Sequence, residues 1–479
     1  MPDRAFTQAA GASSGPTGSG VGTDDGLSEA GTDDSSEGSG AALGGADTGS
    51  TTDAGVATKS GTAAGPASGA AAKANFASDV GVTASSIKIG NITTVGGPMP
   101  GQFEPWLLGV RTWLNEVNEK GGINGRKIQL LPCDDGMDSE RNKACATDLI
   151  EQQKVFALVG TNTPAMPSAK YVNEQKVPAV GVAPIGNYTS IYPYWFSAYG
   201  MRACARNGVD DRSDPKYCRG SPRSSNGGLR YYKETVGVSK AAVFWHNIDI
   251  SKQAGLDTAY FLESGGIDVV YTGETQVAEP DYTGHVLQMK DRGVEGVWDT
   301  MEINNNIRLM QAMDRQNWTP KAKISTVAVY GQAISEQVTG PSRNSLYVQA
   351  ATRPYTDTGN REIAGFIKSF NRYFPGKKKH VWNVDGYRGA LLFGDAVTAL
   401  GANVTRQGMV DWLNNLKDYN PHGLGQNFDF RPYPASFYQS AKPPPSCSAF
   451  AQFKNDDFYN TPGDAFKCFQ GDWVDPRPE

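Results

Sequence analysis

Ile87–Pro132 reads IKIGNITTVGGPMPGQFEPWLLGVRTWLNEVNEKGGINGRKIQLLP, and its order of patterns decides the fold. Ile87, Ile89 and Ile92 start a buried strand. Leu107, Val110, Trp113, Leu114 and Val117 then recur at helical spacing and form one apolar face. Gly121 and Gly122 stop that helix, because a left-handed C-terminal cap costs glycine little. Asn124-Gly125 is a turn dipeptide ahead of the next strand, KIQLLP. The pattern repeats through FALVG and KVPAVGV up to Val182, strand after helix after strand. Such alternation predicts a parallel sheet covered on both faces. Ligands of such sheets sit beyond the carboxyl ends of the strands. Here those ends are the loops TTVGGPMPGQF, CDDGMD, GTNTPAMP and APIGNY.

The same alternation runs a second time. AAVFW, IDVVYTGET, VEGVWDT and KISTVAVYG read as strands, and SKQAGLDTAYFLESGG, DYTGHVLQMKDRG and IRLMQAMDRQ as the helices between them. GNREIAGFIKSFNRYFPG and WNVDGYRGALLFGDAVTALGANV are long helices suited to the first lobe. The expected architecture is α/β: two doubly wound parallel-sheet lobes joined by a multi-strand hinge. Residues 84–200 and 331–420 are assigned to lobe I, and 201–330 and 421–479 to lobe II. SAFAQF, between Cys447 and Cys468, is expected to add an edge strand to lobe II. Residues 1–83 carry Phe6 and Phe76 as their only aromatics among Gly, Ala, Ser, Thr and Asp. Such a segment cannot bury enough surface to offset its ordering entropy, so a disordered acidic tether is expected.

With 479 residues, a net charge of −5 and no basic stripe, the chain is a poor partner for nucleic acid. GALLFGDAVTALGANV, the longest apolar run, is interrupted by Asp395 and reads as a core helix. The six cysteines fall into three local pairs, Cys133 with Cys145, Cys204 with Cys218 and Cys447 with Cys468. None has C-x-x-C spacing, and His246, His285, His380 and His422 do not cluster near them, which disfavours zinc. Disulfides and an extracytoplasmic compartment, cell surface or periplasm, are expected. Residues 1–20 hold no apolar leader core and the first cysteine is Cys133. A leader or lipid anchor is therefore expected outside this sequence, and membrane association only through it or through a partner.

No nucleophile elbow, phosphate loop or dinucleotide fingerprint occurs, so no enzymatic activity and no cofactor are expected. His246 reads as a hydrogen-bonded residue at a strand end, and Asp134 and Asp135 as loop-fixing carboxylates.

IKIG, the GGP loop, NEKGGINGRKIQL, the Asp134-Asp135 pair, LVG and VPAVG resemble the extracytoplasmic solute-binding proteins of ABC transporters. The branch is that of the leucine/isoleucine/valine-binding, type I periplasmic binding proteins. Weaker similarity runs through DYTGHVLQMKDRGVEGVW and GYRGALLFGDAVTAL to about Phe430. The resemblance implies a small ligand trapped between two lobes and an ABC transporter permease as partner. It implies ligand-binding residues at the loop tips: Gln102 and Phe103; Thr161, Asn162 and Thr163; Gly186, Asn187 and Tyr188; Glu302 and Asn305. In the family an acidic residue of the second lobe holds an ammonium; this chain places Asn305 there, with Glu302 three residues earlier. Tyr330, near a crossover, is expected to wall the cleft. The resulting reading is a solute-binding protein for a small polar organic solute, amino-acid-like, amide or small carboxylate. The alternative is a ligand-sensing ectodomain of the same fold acting in signalling.

Overall fold

Ile87, Ile89 and Ile92 are fully buried, in a strand Ser86–Thr93 (β1) that lies inside a five-stranded parallel sheet. The computed structural model describes residues 74–98, 100–185, 188–200, 223–276, 279–301, 303–325, 327–332, 334–430, 440–475 and 477–478. Lys127–Asp134 (β2), Ala157–Val159 (β3), Ala179–Val182 (β4) and Trp195–Ser197 (β5) complete this first sheet, in the order β2-β1-β3-β4-β5. Ile87 lies opposite Ile128 and Thr93 opposite Asp134, so β1 and β2 end together. The helix Glu104–Glu119 has proline in its first turn, where the missing N–H costs nothing. It presses Trp106, Leu107, Val110 and Trp113 into the core. Its partner is the helix Val381–Leu400. The two backbones meet at glycines: a Cβ on Gly109 would fall 2.0 Å from the Asn383 carbonyl, and one on Gly386 2.0 Å from the Trp106 carbonyl.

After the short strand Ser224–Ser225 (β6) comes the second sheet. Lys240–His246 (β7), Asp268–Thr275 (β8), Gly296–Asp299 (β9), Ala322–Ser325 (β10) and Leu346–Ala350 (β11) run parallel in the order β8-β7-β9-β10-β11. Both sheets therefore have one winding, in which the first strand is flanked by the second and the third. Each has a topological switch point, β1/β3 in one and β7/β9 in the other, where doubly wound folds bind ligands.

Three expectations need correction. SAFAQF is not at an edge: Ser446–Lys454 (β12) pairs antiparallel with β11 on one side and with Asp457–Asn460 (β13) and Lys467–Phe469 (β14) on the other. Its alternation buries Ala449, Ala451 and Phe453 on one face, and Phe450 is claimed by the opposite face against Tyr231. The expected boundaries also move. Leu346–Ala350 belongs to the second sheet, while Phe430 packs edge-to-face on Phe196 of the first at 5.0 Å. A run of apolar residues near a crossover fits either lobe, and only pairing partners decide. The tether was expected to reach residue 83, but 74–83 is held by the first lobe. Val82 is buried, the Ser78 hydroxyl donates to the Val404 carbonyl (2.6 Å), and the Asp79 carboxylate accepts from the Arg406 N–H (2.6 Å). Residues 1–73 lie outside the described residues.

The crossings between the sheets converge on one side chain. Arg388, on the helix Val381–Leu400, donates to the Ala351 carbonyl (3.3 Å) and the Thr352 hydroxyl (2.5 Å), just past β11. Its guanidinium lies over the Tyr199 ring (4.8 Å), just past β5, and beside Phe428 (5.8 Å), on the way to β12. A Cβ on Gly425 would sit 2.5 Å from Arg388 Nη1, so a larger residue there would displace the guanidinium.

Cys133–Cys145 and Cys447–Cys468 form disulfides, as expected; Cys204 and Cys218 lie outside the described residues. The second bridge spans 21 residues and ties β12 to β14. Replacing both its cysteines by serine is expected to lower unfolding free energy by roughly 3 kcal/mol, the chain-entropy value for such a loop. Urea unfolding under non-reducing conditions measures this; an unchanged midpoint would contradict it.

Candidate functional site

At the β1/β3 switch point the chain leaves β1 through Thr94, Val95 and Gly96 and leaves β3 through Gly160–Thr163. Asp134, the last residue of β2, holds the first of these turns by accepting the N–H groups of Val95 (2.8 Å), Gly136 (2.9 Å) and Gly96 (3.1 Å). Burial alone would raise the Asp134 carboxyl; these N–H bonds and Arg141 prevail and hold it below the usual range. The second turn is locked through its backbone. Asn162 donates its N–H to the Ile92 carbonyl (3.1 Å) and accepts at its own carbonyl from Thr94 N–H (3.2 Å), while the Thr161 carbonyl accepts from Ala183 N–H (2.9 Å).

Thr161, Asn162 and Thr163 are all buried, but their side chains are used differently. The Thr161 hydroxyl accepts the Ile92 N–H (3.3 Å), and the Thr163 hydroxyl donates to the Ala165 carbonyl (3.0 Å). Asn162 is fully buried, and both Oδ1 and Nδ2 have no hydrogen-bond partner among the described residues. A buried, unpaired polar group costs about 1–3 kcal/mol, so a side chain with two of them carries a cost that nothing among the described residues offsets. Two further buried groups near this end of the sheet share the condition, Trp106 Nε1 and Thr189 Oγ1. Trp106 lies under the turn: a Cβ on Gly160 would be 3.5 Å from its Nε1.

At the β7/β9 switch point His246 ends β7 and is buried. Its Nδ1 is 3.3 Å from the Thr275 hydroxyl and its Nε2 3.2 Å from Asn305 Nδ2. Asn305, fully buried in the first turn of the helix Ile303–Arg315, accepts at Oδ1 from Arg308 Nη1 (2.6 Å). Arg308 also reaches the Glu279 carbonyl (3.5 Å). Histidine, amide and guanidinium thus form one cluster on the second lobe.

The remaining expected residues are placed as follows. Phe103 is buried and stacked on Trp382 with ring centroids 5.6 Å apart, beneath the first turn, and Gln102 beside it is half-buried. The Tyr188 hydroxyl donates to the Ala183 carbonyl (2.9 Å) and so closes its own loop. Tyr330 is buried in the hinge between Tyr355 (5.6 Å) and Phe458 (4.6 Å), with its hydroxyl unpartnered among the described residues. Gly186, Asn187 and Glu302 lie outside the described residues.

Residues 86–457 match the family described as periplasmic binding protein. The chain belongs to this family. In the periplasmic binding protein the match covers the first sheet, the second sheet from β7 to β12, and all three crossings. Leu/Ile/Val-binding protein homolog 8 of Brucella abortus (strain 2308) is 23% identical over 329 residues, 66% of this chain and 77% of that protein. An amino acid binding protein of Pseudomonas aeruginosa is 26% identical over 212 residues, 43% of this chain and 52% of that one. Among solved structures, the branched-chain amino acid transporter substrate binding protein of Streptococcus pneumoniae, in complex with isoleucine, superposes with a TM-score of 0.60. It is 16% identical and covers 81% of this chain and 100% of its own. A solute binding protein of an ABC transporter from Rhodopseudomonas palustris, in complex with 3,4-dihydroxy benzoic acid, gives a TM-score of 0.59 at 16% identity, covering 81% and 98%. At such identities the likeness shows the type I fold.

Sequence reasoning missed Trp106, Thr189 and Arg308. Trp106 carried a signal: an amphipathic ring at the first turn of a helix that follows a glycine-rich loop. Arg308 carried none, because its role rests on Asn305 one turn earlier facing inward.

Proposed function

We propose that this chain is the solute-binding component of an ABC transporter. It captures a small polar organic solute between its lobes, outside the cytoplasm, and delivers it unchanged to a permease. The observation that carries this reading is Asn162: two buried, unpaired polar atoms on a rigid turn at a topological switch point. A solute that accepts from Nδ2 and donates to Oδ1 satisfies both. The names of the relatives, which bind amino acids or benzoates, support transport of small organic solutes in general.

The second lobe narrows the solute class. Where the family's acidic position is expected, Asn305 is backed by the Arg308 guanidinium at 2.6 Å. A solute ammonium brought there meets a fixed positive charge, which repels it. The solute is therefore neutral or a carboxylate at this end.

A thermal-shift screen against amino acids, amides, small carboxylates and aromatic acids tests both statements. A true ligand at 100 times its dissociation constant is expected to add about 2.7 kcal/mol of stability. Closure on the ligand is expected to reduce the radius of gyration in solution scattering. Arg308→Gln is expected to weaken a carboxylate ligand about 10-fold, the scale of one charge-assisted hydrogen bond. Hits confined to amines that lack a carboxylate would overturn the solute class; no stabilisation by any small solute would overturn the function.

A further inference from the structure

We propose that the buried carboxylate of Asp135, held by the Cys133–Cys145 bridge, sets the position of the turn that carries Asn162; this rests on the reading of Asn162 as the solute contact. Asp135 is 1% exposed. Its Oδ1 accepts from the Thr94 hydroxyl (2.6 Å) and the Met137 N–H (3.1 Å), and its Oδ2 from Asn142 Nδ2 (2.8 Å). Each of the two side-chain donors leads to one end of the segment 161–168. The Thr94 hydroxyl lies 3.0 Å from that of Thr163, and Thr94 N–H donates to the Asn162 carbonyl (3.2 Å). Asn142 accepts at Oδ1 from the Ser168 hydroxyl (2.7 Å) and the Ser168 N–H (3.3 Å). One carboxylate therefore braces the turn from both sides, through bonds of the kind that are shorter and stronger than those to a neutral acceptor.

The bridge fixes the brace. Asn142 is on the helix Ser139–Thr147, in which Asn142, Cys145 and Ala146 are buried and which runs directly into a π turn, Asp148–Gln152, with Leu149 and Ile150 buried. Leu149 and Ile150 anchor the far end of this segment in the core, while the end that carries Asn142 has a smaller apolar face. The disulfide adds a covalent tie to that end, joining Cys145 to Cys133 of β2, two residues before Asp135. Loss of the bridge loosens the helix end that carries Asn142 against Asp135. Met166 shares the same contact, its sulfur 3.4 Å from Asn142 Nδ2. The second bridge, between β12 and β14, touches none of these groups and serves as the internal control.

The experiment compares C133S/C145S, C447S/C468S and Asp135→Asn in the full chain, by amide hydrogen exchange without solute and by affinity for the best solute of the screen. The amides read are those of Thr94, Asn162 and Ser168, against Val180 on β4 and Val243 on β7. In C133S/C145S and in Asp135→Asn, exchange at the first three is expected to rise about 100-fold relative to the last two, as local opening rather than global unfolding. Affinity is expected to fall about 10-fold, the loss of one well-placed hydrogen bond. C447S/C468S is expected to keep wild-type exchange at the three amides and wild-type affinity while losing stability. Should Asp135→Asn fail to fold, C133S/C145S decides alone. Unchanged exchange at Thr94, Asn162 and Ser168, or a rise shared equally by Val180, overturns the inference. The selective rise in a protein that binds no solute supports the brace and overturns the reading of Asn162 instead.

Discussion

Asn162→Leu is expected to give a protein about as stable as the parent that has lost its solute. Leucine keeps the branching of asparagine and has no polar atoms, but it is larger, so some overpacking opposes the gain. Replacing a buried amide whose Oδ1 and Nδ2 have no partner in the described fold removes a desolvation cost and breaks no hydrogen bond. The desolvation cost removed and the cost of fitting the larger side chain are of similar size, about 1–3 kcal/mol each, so unfolding free energy is expected to stay within about 1 kcal/mol of the parent. Binding responds in the opposite sense. Two hydrogen bonds to the solute are lost, and the solute's own donor and acceptor are left buried and unpaired, which is expected to weaken affinity about 100-fold. Calorimetric titration and urea unfolding on one preparation read both quantities. A destabilised variant that binds normally would mean that Asn162 serves the fold and not the site.

Arg388→Met is expected to cost about 3–5 kcal/mol near pH 7.5, the usual price of leaving a buried carboxylate without its counter-charge. Arg388 and Asp385 are both about 1% exposed and 3.8 Å apart, and the Thr352 hydroxyl donates to Asp385. Burial pushes the Asp385 carboxyl up to about 6, against the opposing pull of Arg388 and the hydrogen bonds from Thr352 and Tyr199. Of the groups around the pair, the Tyr199 and Tyr330 phenols are pushed far up by burial and stay neutral. The folded state thus binds a proton at Asp385 more tightly than the unfolded chain does. The stability this confers is complete below about pH 4, the unfolded value, and is lost as pH rises through about 6. A shift of about two units corresponds to about 3 kcal/mol across that window. The deficit of Arg388→Met is expected to shrink at pH 5, where the stranded carboxylate takes up a proton, and Asp385→Asn is expected to lose this part of the pH slope. Urea unfolding of the three proteins at pH 5 and 7.5 measures it. An identical slope in wild type and Asp385→Asn would show that the pair does not titrate there. Because Arg388 touches all three crossings, the Met variant is also expected to loosen the hinge and broaden the distribution of lobe separations in solution scattering.

What could be read from the chain itself was local. The buried triplet Ile87, Ile89 and Ile92, the apolar face of the helix Glu104–Glu119, and the stop at Gly121-Gly122 each lie within a few residues of one another. Periodicity of this kind reports strand and helix directly, and its alternation implies the parallel winding of both sheets. The pairing of Cys133 with Cys145 and Cys447 with Cys468 was legible for the same reason, since short loops close at the least entropic cost. The placement of β11 and β12 was not, because a short apolar run carries no mark of the strand it will join. The same holds for the site. Sequence by itself determined that Thr161, Asn162 and Thr163 end a strand of a doubly wound sheet. Only the tertiary structure decided which of the three keeps its polar atoms unspent, because the competing partners are remote: Thr94 meets Thr163 across 69 residues and Asp135 across 41. A polar side chain's availability is the remainder after every neighbour has been paired, and those neighbours are assembled by the fold.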